Sequence, residues 1–145
     1  MIIKFNKYIN ENLNYNKYKS LLVDNYGDKE RAKEEFNYYN KLITDYQNNG
    51  CELYRIVFLN DITELNTKKL GNYWTFNKND ISRYYNNIVV DDNQKQIPFL
   101  INGKFESNSI DLKTSWENFS QLPDESEIYT TKQPNSFKIT KYYNN

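Results

Sequence analysis

The chain has 145 residues and 17.5 kDa, enough for one domain with its own core and too little for two. Nineteen basic residues balance 19 acidic ones, so the long cationic surface of a nucleic-acid binder is not expected, and no run approaches the roughly 18 apolar residues of a membrane span. Histidine is absent, which excludes Ser-His-Asp and Cys-His catalysis, histidine metal sites and an imidazole base; chemistry has to rest on carboxylates, hydroxyls, lysines or arginines.

Residues 1–11, "MIIKFNKYINE", form a short amphipathic opening, followed by the polar "NLNYNKYKS" and the apolar patch "LLV", read as a first strand or helical turn. From Asp28, a good N-cap, the residues Ala32, Phe36, Tyr39, Ile43 and Tyr46 recur at helical spacing up to "NNG". Cys51 is the single cysteine, so no internal disulfide forms and a reducing cytoplasm is the expected setting. After Gly50 the pattern changes to strands at 51–59, 72–76, 97–105, 126–131 and 136–143, with a short helix at 78–86 behind Asn77. The order predicts an α+β fold: an N-terminal helical region, 1–50, packed on a mostly antiparallel β-sheet, 51–145, in one compact domain. Tyr and Phe dominate the apolar residues, so the core should be built from rings.

Three stretches carry polar groups worth explaining. In "CELYRIVFL" alternation puts Leu53, Arg55, Val57 and Leu59 on one face and Tyr54, Ile56 and Phe58 on the other, so one guanidinium interrupts an apolar strand. A buried cation is costly unless it meets a carboxylate or an anionic ligand. In "LGNYWTFNKNDISRYY" a single hydroxyl, Thr75, stands between Trp74 and Phe76; by itself this reads as a core anchor beside a β-former. In "LPDESEIYTT" a strand over 125–130 would put Glu125, Glu127 and Tyr129 on one face. Paired carboxylates raise one another's pKa and can divide electrostatic and proton-accepting work; an edge strand protected by acidic residues is the plainer reading.

The order of these pieces, Tyr-Arg on a first core strand, an aromatic with Thr on a second and Glu-x-Glu-Ile on a late one, resembles the ADP-ribosyltransferase fold of the arginine, serine, glutamate type. "GNYWTFNKNDISRYY" is similar to the segment seen in phage-borne members. The resemblance implies a split β-sheet that binds NAD as substrate, without a metal, and moves ADP-ribose to an arginine side chain of a host protein. It assigns Arg55 to a phosphate of NAD, Thr75 to orienting the catalytic glutamate, and Glu127 to the nicotinamide ribose and the cation formed as nicotinamide leaves. Glu125 would orient or deprotonate the acceptor. Tyr54, Trp74 and Tyr84 or Tyr85 would contact the cofactor, and Trp116 or Phe119 in the loop "SWENFSQLP" would contact the acceptor.

Two departures stand beside the match: Ile56 follows Tyr54-Arg55 where many members have glycine, and Trp74-Thr75-Phe76 replaces Ser-Thr-Ser. These departures, and a chain short for the fold, are compatible with an inactive version serving as a virion component or protein-binding module. "MIIKFNKYINE" is similar to the leader of internal head proteins in large tailed phages, trimmed after a glutamate that Glu11 would provide. That resemblance implies packaging in a phage head and action in the host cytoplasm. A glycosidase is disfavoured, because carboxylates two apart on one strand point the same way and do not flank a bond.

Overall fold

A computed structural model describes residues 14–92 and 95–143, so the leader-like segment 1–11 lies outside the described residues. Helix α1 spans Tyr15–Tyr26. The Asn14 side chain accepts from the Lys17 N–H at its start, and Gly27, at φ 67, ends it by donating its N–H to the Val23 carbonyl. The expected first strand or turn is therefore a full helix. Its sequence is mostly polar because it buries only Tyr18 and Leu22, four residues apart on one side.

Helix α2, Lys29–Asn49, begins at the expected cap: the Asp28 carboxylate accepts from the Glu30 and Arg31 N–H groups. The buried stripe is Ala32, Phe36, Tyr39, Ile43 and Gln47. Gln47 is useful as a polar core residue. Its side-chain oxygen accepts from the Ile110 N–H at 2.9 Å and its carbonyl from Asn108 at 2.8 Å, tying the helix end to a loop far along the chain.

Five strands follow: β1 Cys51–Leu59, β2 Tyr73–Thr75, β3 Ile97–Phe105, β4 Glu127–Tyr129 and β5 Ser136–Lys141. They form one antiparallel sheet in the order β4-β2-β1-β3-β5. β1 and β3 pair along their whole length, from Cys51 opposite Phe105 to Leu59 opposite Ile97. The register puts Leu53, Ile101, Phe105, Trp74 and Ile128 on one face, and all five are buried. Among the described residues β2 meets β1 at a single register pair, Tyr54 with Thr75, so the sheet parts beyond it. Helix α3, Ile81–Asp92, follows a 3-10 turn capped by Asn77 and packs against β1.

Helix α4 covers Leu112–Gln121, where the sequence suggested a loop. Asp111 caps it by accepting from the Thr114 N–H, and it buries Ser115, Trp116, Phe119 and Ser120 on one side. Trp116 and Phe119 therefore do not contact an acceptor. They are 0% and 2% exposed and form the centre of an aromatic core. Tyr18 stacks on Trp116 at 5.5 Å, Phe36 lies 4.7 Å from it, and Tyr39 stacks on Phe119 at 3.8 Å. Residues from α1, α2, α4 and the sheet share this one cluster.

β4 is shorter than expected, for a local reason. Pro123 opens a 3-10 turn over Pro123–Glu125, and Ser126 sits at φ 52, so strand geometry begins only at Glu127. Glu125 and Glu127 consequently do not stand side by side on one strand. The outer edge of β4 is covered: the Ser115 hydroxyl accepts from the Tyr129 N–H at 2.9 Å, and the Asp111 N–H donates to the Tyr129 carbonyl. Among the described residues, no helix is long and apolar enough to cross a membrane.

Candidate functional site

The strand register places Tyr54, Thr75 and Glu127 in a row across β1, β2 and β4, on the face opposite the core. Arg55 belongs by alternation to the core face, yet it lines one cavity with Tyr54, Thr75 and Glu127 of the opposite face. Its Nη1 donates to the Tyr73 carbonyl, and the guanidinium lies against Gly71. Gly71 is held by neighbours of its own, since Trp74 Nε1 donates to its carbonyl at 3.0 Å and Gln133 Nε2 does so at 3.4 Å.

The cavity has a volume of about 180 Å³. Arg55 and Glu127 both line it, with Tyr54, Trp74 and Thr75 between them and Ile81 and Tyr84 of α3 alongside. Tyr85 does not line this cavity: its ring packs against Phe58 and Tyr142. Successive residues of a helix point in different directions, and Tyr84 takes the inward one.

Thr75 is 2% exposed and its hydroxyl is turned to the backbone. It lies 3.1 Å from the Ser126 carbonyl, 3.2 Å from that of Glu125 and 3.3 Å from that of Asn77, and accepts from the Asn77 N–H. It therefore pins the turn that delivers Glu127 and makes no bond to the carboxylate itself. The Glu127 carboxylate is instead met by two groups that sequence reasoning did not assign to it. Asn118 Nδ2 donates to Oε1 at 3.2 Å, and the Tyr84 hydroxyl lies 3.4 Å from Oε2 while also donating to the Glu125 carbonyl at 2.9 Å. A helical reading of 112–121 would have found Asn118, which stands three residues after Ser115, the residue that bonds the β4 edge.

The site's electrostatics follow from partial burial. Burial lowers the pKa of Arg55, with Glu127 and then Tyr84 working the other way. Burial, then the Glu125 carboxylate, raises Glu127 above its ordinary value, against the hydrogen bond from Tyr84 and the charge of Arg55. Among the described residues Arg55 and Glu127 make no ion pair, so the cavity keeps two unlike charges apart. Arg55 Nε is buried and, among the described residues, has no hydrogen-bond partner.

Glu125 lines a neighbouring, wider cleft of about 420 Å³ with Asn25, Arg31, Arg83 and Asp124. Arg83 pairs there with Asp124 at 3.5 Å. Among the described residues, no group of three or more acidic or cysteine side chains is arranged to hold a metal ion. Comparison of the chain with protein-family models, with curated proteins and with solved structures finds no match.

Proposed function

We propose that this protein is a mono-ADP-ribosyltransferase whose cavity between Arg55 and Glu127 takes the nicotinamide ribose end of NAD. The observation that carries the reading is a guanidinium and a carboxylate, from strands separated by β2 in the sheet, on one cavity without an ion pair between them. Arg55 Nε is a buried donor still to be satisfied, which suits a phosphate oxygen. Glu127 supplies the negative charge that a developing ribose cation needs, in a place where burial strengthens it.

When NAD is bound, the bond between C1′ of the ribose and the nicotinamide nitrogen breaks, and its electron pair leaves with nicotinamide. The acceptor is an arginine of a host protein, whose nitrogen forms the new bond to C1′ and gives its proton to Glu125 or to water. That role for Glu125 is supported by its position on the neighbouring cleft and by its charge, which raises the pKa of Glu127. The cavity is smaller than the roughly 300–1,000 Å³ of sites that enclose a whole drug-sized ligand, so the adenosine end lies outside it. As a phage effector, the chain would act on host proteins in the host cytoplasm.

Labelled NAD incubated with the protein and a host lysate tests this directly. Label should appear on protein with the parent chain and not with Glu127→Gln; free ADP-ribose in place of labelled protein would make the chain an NAD hydrolase.

A second reading is favoured by one feature of the site. The Arg55 guanidinium already donates to Tyr73, and the Thr75 hydroxyl is consumed by the backbone, as in a fold that has lost turnover and serves as a virion component or interaction module. The same incubation separates the two, because that reading requires neither labelled protein nor free ADP-ribose.

A further inference from the structure

We propose that Asn118, with Tyr84, positions the Glu127 carboxylate for catalysis, a role that the sequence motif would have given to Thr75. The inference rests on the transferase reading for its kinetic part and on geometry alone for its structural part. A carboxylate held by a donor at one oxygen can still rotate about its last bond; a hydroxyl lying beside the other oxygen limits that rotation. Asn118 reaches Oε1 from α4 and Tyr84 approaches Oε2 from α3, so the two donors come from different elements.

Asn118 is the stronger partner. The Tyr84 hydroxyl has one proton to give, and its 2.9 Å bond to the Glu125 carbonyl competes with the 3.4 Å approach to Glu127. The Asn118 amide has no rival acceptor for its Nδ2 among the described residues. Asn118 is itself held by its helix, whose end it closes by accepting from the Leu122 N–H at 2.8 Å. Thr75 acts one step further back, on the turn carbonyls of Glu125 and Ser126.

The other charged and titratable groups facing Glu127 are Arg55 from β1, Glu125 from the 3-10 turn, Tyr84 from α3, and Tyr39 from α2, whose hydroxyl donates to the Glu127 main-chain carbonyl. Against that background, losing the Asn118 donor removes a hydrogen bond that favours the ionised carboxylate. The Glu127 titration should then move upward.

The test uses Asn118→Ala, Asn118→Gln and Tyr84→Phe in the full chain, each checked for an unchanged thermal midpoint. Two measurements are made: NAD turnover, and titration of Glu127 by NMR of labelled glutamate carboxyl carbons, assigned with Glu127→Gln. Asn118→Ala should lower kcat about tenfold or more while leaving KM for NAD within about twofold, because the donor acts on orientation more than on binding. Asn118→Gln, which keeps the amide donor, should recover part of that loss, and Tyr84→Phe should cost less than Asn118→Ala. The Glu127 titration should move upward in Asn118→Ala.

An unmoved titration in Asn118→Ala overturns the clamp, with or without turnover. An unmoved kcat overturns its catalytic role. A parent chain that shows no turnover, together with a shifted titration, sinks the transferase reading and leaves the clamp standing.

Discussion

A missing methyl group at position 71 decides where the Arg55 guanidinium rests. A Cβ added to Gly71 would stand 2.8 Å from Arg55 Cζ, and the backbone there has φ 107, a conformation that L side chains rarely adopt. Gly71→Ala should therefore cost about 1–2 kcal/mol in urea unfolding and, on the proposed transferase function, weaken NAD binding as well; a loss under about 0.5 kcal/mol would show that the loop relaxes without strain. Glu127 gives a pH dependence of known sign. Its folded pKa is raised, so its favourable contribution is full below the unfolded carboxylate value and is lost as pH rises through the folded pKa. Glu127→Gln should accordingly be more stable than the parent at neutral pH, with the difference shrinking in acid, and urea melts at several pH values would show it. Cys51 is simpler. Burial and then Asp45 push its thiol up to about 12, so alkylation at neutral pH should run well over about tenfold slower than for free cysteine, and a fast reaction would contradict that burial. At this scale the sequence was most informative about Arg55, because a charge inside an apolar strand has few places to go.

Elements were legible where local rules and tertiary needs agree. β1 and β3 could be read to the residue as apolar runs between turn residues, and α2 from its cap and stripe. Replacing that cap, Asp28→Ala, should cost about 1 kcal/mol in a thermal or urea melt, and no change would mean that the two N–H groups are served equally well by water. α4 is masked in the sequence because Ser115 and Ser120, two polar residues, occupy buried positions of its inward face. Ser115 is polar for a tertiary reason, the pairing of its hydroxyl with the Tyr129 N–H at the sheet edge. Ser115→Ala should cost about 1–3 kcal/mol by leaving that N–H unpaired; a neutral substitution would place water at the edge. β4 was over-extended because the left-handed Ser126 is invisible to alternation, and the same oversight produced the side-by-side glutamates.

For the whole molecule, the prediction of helices before an antiparallel sheet holds, and the core is aromatic as composition suggested. The site was legible only in part. Motif order drew attention to Arg55, Thr75 and Glu127, which line one cavity, while the groups that hold the carboxylate come from helices whose inward faces no motif marks. The most direct test is nicotinamide release from NAD, measured by chromatography for the parent, Arg55→Ala and Glu127→Gln in the presence of an arginine acceptor. The proposed chemistry predicts release by the parent and a fall of about a hundredfold or more in Glu127→Gln, with Arg55→Ala also impaired. Equal release by the parent and Glu127→Gln, or none by any chain at saturating NAD, would contradict it.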